Sequence, residues 1–302
     1  MSAPTLGRVD ELLSEHRRER YASFLRQLRS NPKAIVGLGI VGTLLLVALF
    51  APYIAPSDPT KVAVLERTQA PSLTHLFGTD NFGRDVFSRV VMGSRISLYV
   101  GFTSVGIATF IGVPVGILGG YYGGWVDESL MRLMDAMMSF PPVLLALVVV
   151  AALGSSLTNV LLALGFVYTP FFARVSRSAT LSTVNDEYVE AAKARGERDS
   201  YIMFREILPN TMAPVIVQAS ITVAFAILAA AALSFLGLGT QPPTPSWGLM
   251  INNARGFLSN APWMAVFPGL AIGVTVLGFN MLGDALRDVL DPKVDTVGRG
   301  DE

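Results

Sequence analysis

Cysteine is absent from the 302-residue chain, and histidine occurs only at positions 16 and 75. Disulfide staples, thiolate metal sites and a cysteine nucleophile are thereby excluded. The two histidines lack the H-E-x-x-H spacing of a zinc protease site. No G-x-S-x-G nucleophile elbow occurs. No Gly-Lys pair occurs either, so the phosphate-binding loop G-x-x-x-x-G-K-[ST] is missing and the chain has no means of its own to hold ATP. Charge is scarce as well. It makes up 15% of residues, against about a quarter in a soluble domain.

In place of charge there are long apolar runs, and 51% of the chain is hydrophobic. A helix crossing the hydrocarbon needs about 20 mostly apolar residues. Six segments are read as spans: Ala34–Tyr53, Ile96–Gly119, Met137–Leu153, Leu157–Phe172, Val215–Leu238 and Trp263–Leu282. None of them contains Asp, Glu, Lys or Arg. In lipid the backbone must satisfy its own hydrogen bonds, and runs of this length exceed barrel strands, so helices follow. The predicted fold is all-α, a polytopic membrane protein with six transmembrane helices. Gly154-Ser155-Ser156 makes the third and fourth spans a tight hairpin, and Pro141-Pro142 and Pro170 mark kinks or ends. The first 33 residues carry seven Lys or Arg, too charged for a signal peptide, so the first run is expected to be retained.

Lys and Arg set orientation. With the N-terminus inside, the inner segments hold 17 of them and the outer segments 6, which predicts cytoplasmic tails over 1–33 and 283–302. The outer connection 54–95 and the inner connection 173–214 each run to about forty residues. Connections this long are usually functional.

On the inner side, Asn185 to Gly196 reads as a short helix. Asn185 serves as its cap, Asp186 and Glu187 lie at its positive end, and Gly196 is its stop. A second short helix is predicted near Asp199–Ile207, ending before Pro209, with Tyr201, Phe204 and Leu208 on one face. Ala191 and Ala192 leave the first helix nearly bare, so another surface could approach it. From composition alone the segment reads equally as a docking knob or as an amphipathic linker on the membrane surface.

The residues carry more. Glu190-Ala191-Ala192, Gly196 four positions on, and Leu208-Pro209 closing the segment resemble the EAA loop of ABC importer permeases. One departure is Glu206, at a position where that pattern often has Ile. Phe77-Gly78-Thr79-Asp80, Gly83-Arg84-Asp85 and Gly93-Ser-Arg-Ile-Ser-Leu98 are similar to the shorter, C-type subunit of the dipeptide, oligopeptide and nickel group. Ala232 to Gly239, followed by Pro242, Pro245 and Trp247-Gly248, looks like the same group.

The resemblance implies the type I importer permease fold, over a domain spanning 34–282. It implies that Glu190, Ala191, Ala192, Gly196, Leu208 and Pro209 couple to an ATPase. The implied partners are a second homologous permease, two ATP-binding cassette ATPases and an extracytoplasmic substrate-binding protein. No cofactor is expected on this chain, ATP and Mg belonging to the ATPases, and no nucleic acid is expected. The implied location is the cell membrane, in the inner membrane where there are two.

Read from the residues alone, the 77–98 stretch is a turn leading to an amphipathic helix, with Val86, Phe87, Val90 and Val91 clustered and Arg84, Asp85 and Arg89 facing elsewhere. Gly78, Gly83 and Asp80 read equally as a capped surface turn. Gly112, Gly116 and Gly120, and the pair Gly269 and Gly273, have the small-xxx-small spacing of packed membrane helices. Gln218, Asn280 and Asp284 are polar candidates near the fifth and sixth spans. The rival reading is an ion-coupled secondary transporter, but such proteins carry ionisable residues inside the membrane and this chain has none within its spans.

Overall fold

The computed structural model describes residues 26–290. Residues 1–25 and 291–302, and with them His16 and most of the two expected tails, lie outside the described residues. Asn31 accepts a hydrogen bond from the Lys33 amide at 2.9 Å, and Pro32 begins helix α1, Pro32–Ile54. Helix α2, Val86–Tyr122, is capped by Asp85 and stops at Gly123. Its 37 residues span about 55 Å at 1.5 Å per residue, well beyond the hydrocarbon. The apolar run Ile96–Gly119 is therefore the middle of a longer helix. Arg89 and Arg95 end the run but not the helix, because charge limits contact with lipid while backbone hydrogen bonding limits the helix.

Amphipathic α3, Gly124–Met138, meets α4, Pro142–Leu153, at 88°. This corrects the third span. Met137 and Met138 finish α3, and Pro141 starts a new direction. The 12 residues of α4 reach only about 18 Å, short of the roughly 30 Å of hydrocarbon. The predicted hairpin then follows. Gly154 turns the chain, Ser156 caps α5, Leu157–Thr183, and the Asn159 amide donates to the Leu153 and Gly154 carbonyls at 2.9 and 2.8 Å. Helix α5 continues eleven residues past Phe172, so most of the expected inner loop is helical.

After the short α6, Glu187–Ala194, helix α7 runs through Asp199–Phe235 without the break expected before Pro209. Ile202–Ile207 is a π-helical segment, in which the Leu208 amide donates to the Met203 carbonyl five residues back. Leu208 keeps helical angles (φ −52°, ψ −46°). The proline thus occupies a first-turn position, where a missing N–H costs nothing. The chain closes with α8, Trp247–Ala254, and α9, Trp263–Leu290. Among the described residues, five helices are long and apolar enough to cross a membrane, or six if the bent α3–α4 pair counts as one.

Helices α2 and α5 form the central pair. A methyl group added at Gly112 would lie 2.5 Å from the Thr169 carbonyl, one at Gly116 2.2 Å from the Ala173 carbonyl, and one at Gly120 2.8 Å from Thr180 Cβ. This stripe is the small-residue seam the spacing predicts. Gly269 and Gly273 are not part of one, since a Cβ at either meets nothing within 4 Å. Helix α9 packs against α1 at Gly37 and Gly278, and against α7 at Gly283. Phe110, Leu49 and Leu270 project from the outside of the bundle, as suits surfaces dissolved in lipid.

Candidate functional site

The bundle has two elaborated ends. At one, residues 55–85 fold over the starts of α2 and α9 and the buried face of α8. Asp80 organises this cover. Its Oδ1 accepts from the Phe82 and Arg84 amides at 2.8 and 3.0 Å, and its Oδ2 accepts from Arg84 Nε at 2.6 Å. Arg89 lies 3.7 Å from the same carboxylate and donates to the Pro59 carbonyl at 2.6 Å. Asp85 caps α2, accepting from both the amide and the hydroxyl of Ser88 at 2.7 Å, while its other oxygen meets His75 Nδ1 at 3.0 Å.

Thr79 bonds to the Glu66 carbonyl and accepts from the Gln69 amide, and Trp263 Nε1 donates to the Thr79 carbonyl at 3.1 Å. Phe77 stacks on Phe267 with ring centroids 3.9 Å apart, and its ring meets the edge of Phe87. Gly83 has φ +76°, and a Cβ there would collide with the Ala63 carbonyl.

The predicted signature residues are thus brought together, but as an interior. Thr79 is fully buried, and Asp80, Arg84 and Asp85 are between 4 and 6% exposed. The reading of a capped surface turn is corrected to a buried lattice, and Arg89, expected to face away from the cluster, is 1% exposed within it. Two partners were missed from sequence: Trp263, 184 residues away, and His75. Nothing local in the sequence announces the first of these.

At the opposite end α6 stands between α5 and α7. Its cap is Asp186 and not Asn185, and it makes no side-chain cap bond. The C-terminus is closed as the sequence predicts. The Gly196 amide donates to the Lys193 carbonyl and the Glu197 amide to the Ala192 carbonyl, with Gly196 at φ +74°. This is the Schellman pattern. No atom lies within 4 Å of a Cβ built at Gly196, so the glycine is needed for its backbone angles and not for close approach.

Val189 and Ala192 are fully buried with Ile202, Met203 and Ile207 of the π segment. Glu187, Glu190 and Ala191 remain exposed, as do Tyr201 and Phe204. Ala192 therefore seats the helix inside this chain, which corrects its placement on an outward docking face. Leu208 is half-buried and Pro209 exposed where the π segment joins the span.

Side chains outside the motif fix the knob's position. Asp199 accepts from the Tyr121 and Tyr122 hydroxyls at 2.9 and 3.2 Å, which ties the start of α7 to the end of α2. Asn210 donates to the Tyr188 hydroxyl at 3.0 Å, and loss of solvent pushes the Tyr188 phenol above its ordinary pKa. Arg177 grips Asp127 bidentately and Arg174 meets Asp135 at 2.6 Å, holding α3 to α5.

The five or six membrane-length helices among the described residues define a multi-pass membrane protein. Residues 112–296 match the family described as the binding-protein-dependent transport system inner membrane component, and residues 20–71 match the N-terminal transmembrane domain of oligopeptide transport permease C. A dipeptide transport system permease of Alkalihalophilus pseudofirmus is 49% identical over 89% of this chain and 88% of its own length. A glutathione transport system permease of Pectobacterium atrosepticum is 45% identical over 92% and 91%.

Among solved structures, a chain of the MetNI methionine ABC transporter, in inward-facing conformations, superposes with TM-score 0.54 at 21% identity, over 67% of this chain and 96% of that one. That likeness bears on the fold alone. The chain belongs to the binding-protein-dependent permease family: it is a non-catalytic, multi-pass permease subunit of an ABC importer. The ion-coupled reading falls with this assignment.

Proposed function

We propose that this chain forms half of the translocation pathway of an ATP-driven importer for di- and oligopeptides or related small solutes. The names of its relatives support peptides as the substrate class. A second homologous permease would complete the pathway. Two ATPases would bind ATP and Mg, and an extracytoplasmic binding protein would deliver the solute to the end covered by residues 55–85. The excess of Lys and Arg on one side favours both termini in the cytoplasm of a cell, or inner, membrane.

The observation that carries the coupling role is the division of labour in α6. Its buried Val189 and Ala192 lock it to α7, while Glu190 and Ala191 face outward beside Tyr201 and Phe204. Closure of the ATPases against that face would move α6, and through the Asp199 clasp it would move α2 and α7 together. Glu190 and Ala191 are then the contact residues, with Ala192, Gly196, Leu208 and Pro209 holding the shape.

The test is to replace Ala191 with Trp in a tagged chain purified from its native membrane in mild detergent. The unmodified chain should copurify with two P-loop ATPases and a second permease. The variant should still insert but lose the ATPases or lose uptake. Unaltered uptake would overturn the coupling surface, and a chain that purifies alone and carries solute without ATP would overturn the function.

A further inference from the structure

Polar side chains inside a membrane bundle are costly unless they line a cavity or serve one another. Helices α4, α5 and α7 border an open-sided cavity of about 560 Å³, mostly apolar in its lining, with Val143, Phe171, Phe225 and Leu228 among the walls. Tyr168, Gln218 and Thr222 interrupt that lining. The Gln218 amide donates to the Thr222 hydroxyl at 2.9 Å, and that hydroxyl donates to the Gln218 carbonyl at 2.7 Å. This occupies only one of the hydrogen-bonding positions of the Gln218 side-chain amide among the described residues. The 88° turn between α3 and the short α4 places Pro142 and Val143 at the wall of the cavity, across from α5 and α7.

Gln218 also lines a second cavity, of about 470 Å³, with Pro214, Val217 and Arg287. Those residues lie toward the α6 end, whereas Leu228 and Ala232 carry the first cavity toward the other end. Gln218 thus stands where two spaces meet along α7. A single water claims only about 30 Å³, so each space is large enough for an organic solute. No acidic or basic side chain lines the first cavity. It offers hydrogen bonds and apolar contact but no charge selection.

We infer that Tyr168 and Gln218 are the polar contacts through which the pathway holds a short peptide in passage, with buried Thr222 orienting the Gln218 amide, while the apolar walls accept varied side chains. The inference rests on the importer reading above and adds to it the residues that set selectivity within the membrane. Neutral amide and hydroxyl groups match the neutral backbone common to all peptides, and an apolar wall does not discriminate strongly among side chains.

The absence of cysteine makes a direct test practical. Single variants Gln218→Cys and, as an exposed control on the outside of α5, Leu162→Cys would be placed in the full complex in proteoliposomes. Each would be exposed to a water-soluble methanethiosulfonate reagent. The expected result is that Gln218→Cys reacts, that a dipeptide mixture with binding protein and ATP slows the reaction, and that Leu162→Cys stays inert. Gln218→Leu should lower dipeptide uptake about fivefold, the worth of one hydrogen bond, while ATP hydrolysis still responds to loaded binding protein.

Gln218→Cys as inert as the control, in a complex that imports dipeptides, would overturn the inference and assign the cavity to lipid or a partner helix. Unchanged uptake by Gln218→Leu would overturn it as well. Failure of the unmodified complex to import any dipeptide overturns the peptide substrate on which the inference rests, and that is seen before any variant is made.

Discussion

Replacing Gly116 with Ala adds one methyl group at the closest approach of α2 to α5. Its carbon would lie 2.0 Å from the Ser176 hydroxyl, 2.2 Å from the Ala173 carbonyl and 2.8 Å from the Arg177 amide. Ser176 could turn away, but the other two are backbone atoms. Ordinary contact begins at 3.4 Å, so the helices must separate by about 1 Å or α5 must bend. Overpacking of this kind costs about 1–3 kcal/mol. Separation also weakens the bond from the Ser176 hydroxyl to the Val113 carbonyl at 3.2 Å, and interhelical bonds in membranes average about 0.6 kcal/mol.

Gly269→Ala is the matched control, because nothing lies within 4 Å of its added methyl. There the better helix propensity of alanine should be neutral or stabilising by up to about 1 kcal/mol. That gain is common to both sites and cancels, so the two variants should differ by the overpacking cost, about 1–3 kcal/mol, despite identical chemistry. Thermal unfolding of the detergent-solubilised permease, followed by loss of the monodisperse peak on size-exclusion chromatography, reads the difference directly. Equal midpoints for the two variants would refute the claim that the α2–α5 seam depends on backbone contact.

Asp80→Ala should destabilise the chain by about 3–5 kcal/mol, because it leaves Arg84 and Arg89 buried without their counter-ion. Protease cleavage within residues 55–85 would report it, and an intact loop would refute the network's role. Gly196→Ala should cost about 1–2 kcal/mol through its left-handed backbone alone. Gly196→Asn should recover part of that, measured as thermal midpoint and uptake together, and equal loss in the two would point to steric exclusion by a partner.

The helical character of the chain, the packing face at Gly112, Gly116 and Gly120 and the helix stop at Gly196 were legible in the sequence, because each shows in residues a few positions apart; that α5 is the partner of that face, and that Gly269 and Gly273 have none within 4 Å, were not. The lattice around Asp80 was legible only as a motif. Its composition of glycine, acid and base at a loop reads as a solvated turn. The residues that bury it, Trp263 and Phe267 on the last helix and Pro59 upstream, are remote in sequence. Arg89 shows the same limit. An arginine next to valines at helical spacing looks like the wet side of an amphipathic helix until a carbonyl thirty residues earlier is found to accept from it.

Two misplacements have one physical origin. Apolar runs locate the part of a helix in contact with lipid, whereas helices end where hydrogen bonding ends. Helix α5 carries Arg174 and Arg177 past its apolar run by pairing them with Asp135 and Asp127 on α3. Those same pairs hold α3 across the end of the bundle, so the following segment must turn 88° at Pro141-Pro142 to enter it. The apparent span Met137–Leu153 is apolar enough to be continuous, but hydropathy has no direction. The bend falls at Pro141-Pro142, where proline interrupts helical hydrogen bonding, and the short α4 beyond it brings Pro142 and Val143 to the wall of the cavity that Tyr168 and Gln218 share.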